Sequence, residues 1–329
     1  MTSKLNTALR LTIGIVGCVA ALQSVYAQGY PNRPLRFIVG FPPGGGNDVV
    51  ARVVAPHLSE ALGQQVIIEN RPGATGTVAA SMVAKSPPDG YTLLVGAVST
   101  NAIAGSLYPN LPYDPERDLS PVTLLASIPQ LIAVHPALEV KTVRELIDFA
   151  RANPGKLRFP SAGNGSTPHI TGEIFKSVTG TDLQHVPYKG AGQALPDLLA
   201  GRVQVSFDTT GTIISYVTAG KLRALAIAAP KRFALIPDVP TAAEAGLHDF
   251  EISTWIGLFS AGGTPAAIVD LLHARIAAVL RKPEVRNLLV NNIGSDDSVT
   301  GSPAEFAALL KRDIARYAKV IKAAGIRAD

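Results

Sequence analysis

The chain has 329 residues, 47% of them hydrophobic and 17% charged, with a formal charge of +5 at pH 7. That balance belongs to a globular protein and excludes a disordered one, and the length exceeds what one hydrophobic core usually serves, so two domains are expected. Basic residues are scattered and aromatics amount to 6%, which offers nucleic acid no patch to bind.

The first 27 residues read as a leader and not as part of the fold. Lys4 and Arg10 form a basic start, Leu11 to Leu22 an apolar run, and Val25-Tyr26-Ala27 a small-residue cleavage site, the pattern of a secretory signal peptide. The apolar run falls short of the roughly 20 residues a membrane span requires. The sole cysteine, Cys18, lies in this segment. Ile15-Val16-Gly17-Cys18 loosely resembles a lipoprotein box, so lipid anchoring at Cys18 is the minor alternative to cleavage after Ala27. With cleavage there, the mature chain has no disulfide and a periplasmic location is expected.

From Pro31 onward, apolar runs alternate with helical patterns. Leu35–Val39 reads as a strand, 47–62 as a helix, Val66–Asn70 as a strand, 76–84 as a helix and 91–96 as a strand. Runs this apolar, separated by helices, predict a parallel sheet covered on both faces. Residues 122–127 and 131–134 read as two strands leading into a second domain. There, 142–152 predicts a helix with Thr142 and Glu145 as a capping box, 157–159 a strand and 169–178 a helix. Further strands are expected at Gln184–Pro187, 203–207 and 222–228, with a helix ending at Leu199 between the first two. Residues 255–259 read as a strand returning to the first domain, followed by helices at 265–280, 283–291 and 302–324. The expected architecture is α/β, with parallel-rich sheets flanked by helices. The division is 1–27 signal peptide, 28–127 first domain, 128–252 second domain, and 253–329 the return to the first.

Catalytic signatures are missing. There is no H-E-x-x-H, no G-x-S-x-G and no G-K-[ST], and the histidines show no metal spacing, so no cofactor and no metal site are expected. A secreted hydrolase using Ser166 and His169, with Asp208 as third member, remains the enzymatic alternative.

Two stretches point to anion binding instead. Phe41-Pro42-Pro43-Gly44-Gly45-Gly46-Asn47-Asp48 joins a strand to a helix, and Ser161-Ala162-Gly163-Asn164-Gly165-Ser166-Thr167 repeats the arrangement. A helix start leaves backbone N–H groups unpaired at the positive end of its dipole, which suits a carboxylate without burying a charged side chain. Gly44, Gly45 and Gly165 supply the turns, and the hydroxyls of Ser161 and Ser166 and the amide of Asn164 are extra donors. Ser99-Thr100-Asn101 follows the third strand, on the same expected edge. Asp48 sits in the first helical turn, where an acid offsets the dipole, and is read as structural. Tyr188 is a candidate to close over a ligand. Asp208, an acid at a strand end, suits a ligand amine or a bridging water, and Trp255 lies near the crossover, where hinge packing is the plainer reading.

Many segments of the chain resemble one family. Among them are Phe41-Pro42-Pro43-Gly44-Gly45, Glu69-Asn70-Arg71-Pro72-Gly73-Ala74, Pro88-Asp89-Gly90-Tyr91-Thr92, Leu111-Pro112-Tyr113-Asp114-Pro115 and His185-Val186-Pro187-Tyr188-Lys189-Gly190. These segments, with Gly220-Lys221-Leu222-Arg223 and Pro237-Asp238-Val239-Pro240-Thr241, span nearly the whole mature chain. They resemble the Bug receptors, extracytoplasmic solute-binding proteins of tripartite tricarboxylate transporters. The resemblance implies a two-domain, type II periplasmic binding fold of the Venus-flytrap kind. It also implies a small organic carboxylate (mono-, di- or tricarboxylate, aromatic acid or amino acid) gripped between Phe41–Gly45 and Ser161–Ser166. By the same resemblance Thr100, Asp208 and Trp255 match positions near the cleft, and membrane permease subunits are the partner of a monomeric receptor. The chain departs from the family at Ala104-Gly105 and at Thr209-Thr210-Gly211. A signalling sensor of the same fold is the alternative function.

Overall fold

The structure, a computed structural model, describes residues 29–188, 191–248, 250, 252–296 and 301–326. The leader with Cys18, and Lys189 and Gly190, lie outside the described residues.

The first part of the chain alternates as its apolar runs predict. β1 (Leu35–Val39) passes through the glycine turn into α1 (Gly46–Leu62), and β2 (Val66–Asn70) is followed by α2 (Thr77–Ala84). β3 (Thr92–Ala97) ends in a π-helical turn, Ser99–Ile103, that runs into α3 (Ala104–Leu107). β1 pairs in parallel with β2 and with β3, so the strands deliver their C-terminal loops to one edge. Leu35, Phe37 and Val39 point to one face, packed on α1, α8 (Ala266–Leu280) and α9 (Pro283–Ile293). Ile38 points to the other, with α2 and α10 (Pro303–Ala324). The two-residue period of the strand thus feeds two cores.

Two strands were expected between residues 122 and 134; the structure has one, β4 (Leu119–Val134), 16 residues long. Pro129 sits where β4 changes partner. As far as Pro129, β4 runs antiparallel to β9 (Ser253–Ala261). From Gln130 onward it is flanked by β7 (Val205–Thr209) and β8 (Arg223–Ile227), both antiparallel. Proline contributes no ladder N–H, and a changeover of partners is where that omission is tolerated. β9 is the returning strand and lies between β3 and β4, antiparallel to both. The order is β2-β1-β3-β9-β4-β7, with β8 also against β4. The sheet is therefore mixed. Its parallel character holds for β1 to β3, and for the separate pair β5 (Arg158–Ser161) and β6 (Gln184–Pro187).

Helices α4 (Val143–Ala152), α5 (Thr167–Thr179), α6 (Ala191–Leu199) and α7 (Thr210–Thr218) complete the second half. α4 starts as read, with Glu145 N–H donating to Thr142 Oγ1 at 3.1 Å. α5 begins two residues before the expected His169, with Pro168 in its first turn, where a residue lacking an N–H costs nothing. At α10, Ser302 and Glu305 form a reciprocal capping box. Among the described residues no helix is long and apolar enough to cross a membrane.

Trp255, on β9, is wholly buried. Its ring stands edge-on to Phe306, with centroids 5.3 Å apart, and its indole Nε1 donates to Asp313 Oδ2 at 2.7 Å. Burial pushes the Asp313 carboxyl above the usual range, and the indole bond opposes that shift. The Trp255→Phe variant strips a buried acid of its donor, and urea unfolding should record a loss of about 1–3 kcal/mol. An unchanged midpoint would mean that Asp313 finds water instead.

Candidate ligand-binding site

The first turn is tied internally. Gly45 is the N-cap of α1, with extended backbone and no side-chain cap. Gly44 N–H donates to Asp48 Oδ2 at 2.9 Å, and Gly45 N–H reaches Pro42 O at 3.3 Å. The donors expected at Gly44 and Gly45 are thus spent within the turn. The open ones lie one step further on, at Gly46, Asn47 and Asp48, whose N–H groups precede the first intrahelical bond, Val49 N–H to Gly45 O. Phe41 is half-buried, and Pro43 and Gly44 are exposed.

Asp48 organises this turn. Its carboxylate, 2% exposed, accepts from Gly44 N–H, from Arg52 Nε at 2.8 Å and from Asn70 Nδ2 at 2.9 Å. Asn70 Nδ2 also donates to Phe41 O at 3.0 Å, tying the end of β2 to the end of β1. The Arg52 bond first, then Gly44 and Asn70, hold the acid down at about 2. Helix-dipole compensation therefore understates the role of Asp48. Asn70 and Arg52 belong to the site's support although only Asn70 stood in a recognisable sequence segment, and there as a strand end.

Beside it, residues 73–76 take positive φ in succession: Gly73 at 145°, Ala74 at 43°, Thr75 at 56° and Gly76 at 87°. Ala74 and Thr75 carry a Cβ in a conformation that costs L-residues roughly 1–2 kcal/mol each. Thr100 holds the strained turn: its Oγ1, buried, donates to Thr75 O at 2.8 Å, and Tyr113 OH donates to Thr100 O at 2.7 Å. Thr100, expected at the ligand, spends its hydroxyl proton on this support. A Cβ on Gly76 would lie 2.5 Å from Thr100 Oγ1.

The second turn leaves β5 at Ser161, which is buried. Ser161 Oγ lies 2.6 Å from His185 Nε2 and accepts from Gly163 N–H at 3.1 Å. Ser166 is the N-cap of α5, yet its Oγ donates backward to Gly163 O at 2.7 Å. Gly165, at φ 73°, donates its N–H to His169 Nδ1 at 3.1 Å. Asn164 is exposed at the tip. Tyr188 follows β6: its N–H donates to Ser161 O at 3.0 Å and its hydroxyl to Asp197 Oδ2 at 2.7 Å. Burial, then the Asp197 bond, pushes that phenol up to about 12. Asp208 stands at the end of β7, half-buried, with Oδ1 accepting Thr209 N–H at 2.7 Å. Desolvation raises its carboxyl above the ordinary range.

Any Cβ on Gly165 would overlap the side chain of Leu107, at the end of α3. The second turn therefore rests against the first half of the fold through a glycine whose positive φ and closeness to Leu107 both disfavour a side chain. Phe41, Pro43, Gly44, Gly45 and Thr100 lie in the loops after β1 and β3. Ser161, Asn164, Gly165, Ser166, Tyr188 and Asp208 lie at or just beyond the ends of β5, β6 and β7. Trp255 joins neither group, because its one donor and its whole surface are committed to the core around Asp313. Of the hydrolase candidates, Ser166 donates its hydroxyl to the Gly163 carbonyl and His169 Nδ1 accepts from Gly165 N–H. Among the described residues no cluster of His, Cys, Asp and Glu can hold a metal ion.

A mixed sheet threaded by β4 and β9, with a glycine-rich helix start in each of its halves and the Gly165 turn set against Leu107, defines a two-domain periplasmic solute-binding protein of the Venus-flytrap class. Residues 50–326 match the tripartite tricarboxylate transporter family receptor, and the chain belongs to that family. It is 36% identical over 323 residues to the protein BugT of Bordetella pertussis, covering 98% of both chains. Among solved structures it is similar to Rpa4515 of R. palustris with adipate, at 38% identity and a TM-score of 0.76, covering 91% of this chain and 99% of that one. It is also similar to MatC (Rpa3494) of Rhodopseudomonas palustris with bound malate, at 34% identity and a TM-score of 0.72, covering 89% and 100%.

Two outcomes follow for the scaffold. Asp48→Asn removes the charge from a buried hub and should cost about 1–3 kcal/mol in urea unfolding at pH 7. The folded-state acid is depressed from 3.8 to about 2, so the contribution is full above pH 4 and fades as pH falls towards 2. The difference between wild type and variant should shrink over that window, and a constant gap would refute the charge argument. Gly76→Ala, strained by both φ and the Thr100 contact, should lower the unfolding free energy by about 1 kcal/mol or more.

Proposed function

We propose that this receptor captures a small organic carboxylate between the start of α1 and the Ser161–Ser166 turn and hands it to the permease subunits of a tripartite transporter. The contact between Gly165 and Leu107 carries the reading, since it brings the second turn onto the half of the fold that bears the first. The carboxylate would take the open N–H groups of Gly46, Asn47 and Asp48 on one side, where the helix dipole favours an anion. The relatives solved with adipate and with malate support that class. Division at residues 28–127, 128–252 and 253–329 makes the partner change at Pro129 and Gln130, with Ser253 opposite, the hinge. Closure about that hinge follows binding. The receptor works as a non-catalytic monomer, exported by a leader cleaved after Ala27. The commitment of Ser166 Oγ to Gly163 O supports the absence of hydrolysis.

The test uses calorimetry with adipate and malate, backed by a thermal-shift panel of aromatic acids, amino acids and tricarboxylates. Gly46→Pro is the informative variant. Position 46 opens α1, where proline fits, and Gly45 at ψ 161° already has the conformation that precedes a proline. It deletes one open donor and leaves the helix intact. Wild type should bind one of these acids, and the variant should bind it about tenfold or more weakly. No binding across the panel sinks the carboxylate reading, and unchanged affinity in the variant moves the grip away from α1.

A further inference from the structure

Two imidazoles lie beneath the second turn. His169, in the first turn of α5, and His185, on β6, stack face to face with ring centroids 3.7 Å apart and planes 7° from parallel. His169 is buried, and the ring of Phe159 flanks His185 at 5.1 Å. Each imidazole holds one end of the turn. His185 Nε2 meets Ser161 Oγ at 2.6 Å where the chain leaves β5, and His169 Nδ1 accepts Gly165 N–H at 3.1 Å where it enters α5. Between these anchors the turn closes on itself through Gly163, whose carbonyl takes the Ser166 hydroxyl.

The Gly165 bond decides the chemistry. An imidazole nitrogen accepts an N–H only with its lone pair, so His169 carries its proton on Nε2. That nitrogen faces Glu173 Oε1 at 4.0 Å, and Lys176 Nζ bonds the same carboxylate at 2.9 Å. A second proton on His169 would set two N–H groups against each other and press a cation onto the stacked ring. We infer that His169 and His185 are positioning residues of the ligand cradle: as a neutral stacked pair they hold the Ser161–Ser166 turn in the shape that meets Leu107, and charging the pair releases it. This rests on the carboxylate reading above for its functional meaning, and on the geometry alone for the role of the pair.

The surroundings favour the neutral form. Burial and then His169 lower His185 from 6.5 to about 4, Glu173 opposing and Lys176 adding to the shift. β5 contributes Phe159 and Ser161 at this contact, neither of them charged. The unfolded chain therefore binds more protons between pH 6.5 and 4. The part of that support carried by His185 is full above pH 6.5 and is lost as pH falls towards 4.

Four variants separate positioning from packing. His169→Asn places an amide oxygen near the Nδ1 position, whereas His169→Leu fills the space without an acceptor. His185→Gln keeps a polar atom facing Ser161, and His185→Phe keeps the stack without one. With adipate and malate at pH 7.5, the Leu and Phe variants should bind about tenfold or more weakly, and the Asn and Gln variants should recover most of the affinity. Wild-type affinity in the Leu and Phe variants overturns the inference. A ligand-free arm runs beside it. Imidazole 15N shifts of the wild-type protein should show His169 Nδ1 unprotonated at pH 7.5, with the Gly165 amide exchanging slowly and exchange accelerating as pH falls from 6.5 towards 4 beyond the intrinsic rate. A protonated Nδ1, or a Gly165 amide unprotected throughout, overturns the inference as well. Failure of both acids to bind wild type speaks against the carboxylate reading, while the 15N and exchange results still decide the role of the pair.

Discussion

Every buried backbone N–H and C=O must find a partner, and in this fold that requirement falls most heavily on β4. Its 16 residues are buried along most of their length, so its ladder cannot lapse where one half of the sheet gives way to the other. Partner exchange solves the problem. Around Gln130 the main chain stays bonded, with Gln130 N–H on Ile252 O, Ala228 N–H on Gln130 O and Ile252 N–H on Ala228 O. The two halves are joined by continuous hydrogen-bonded strands and not by loose linkers.

The same accounting shapes the turns at the strand ends. Hydroxyl and amide side chains at the strand ends satisfy nearby carbonyls. Thr100 holds Thr75 O, Ser166 holds Gly163 O, and Asn70 holds Phe41 O. Such local side-chain bonds compete with regular structure and fix loop shape. What remains unspent at the first turn is backbone N–H, in the opening turn of α1. Charge follows a similar logic: the acid nearest that helix start, Asp48, is neutralised by Arg52 and three N–H donors in all. Its negative field is thereby absorbed inside the turn instead of repelling an incoming anion.

Strain is placed beside this framework. Ala74 and Thr75 are the non-glycine residues with left-handed backbone among those described, and they sit where the end of β2 approaches the loop after β3. Thr100 and Tyr113 lock them from a buried position. A rigid turn of this kind holds the cradle edge in one shape without placing a further charge there. The second turn reaches the same end by a different route, through two stacked rings under a glycine loop.

Periodicity and punctuation were enough for much of the fold. The apolar alternation of Leu35 to Val39, the capping residues Thr142 and Ser302, and the glycine turns at 44 and 165 each act within a few residues of themselves, so they can be read locally. The family segments, spread over nearly the whole mature chain, added the class of protein. The sequence reading failed where partners are distant. It left a gap in β4 between residues 127 and 131, because the antiparallel strands that bridge it come from residues 205–261. The resemblance set Trp255 near the cleft beside the plainer reading of hinge packing, and Asp313, 58 residues away, claims its indole. The sequence reading found no metal spacing among the histidines and gave His169 and His185 no shared role, which the parallel pairing of β5 with β6 supplies by bringing them into contact. Local propensity is written in neighbouring residues. Which donors are spent, which rings stack and which glycine must lack a Cβ depend on residues that only the folded chain brings together.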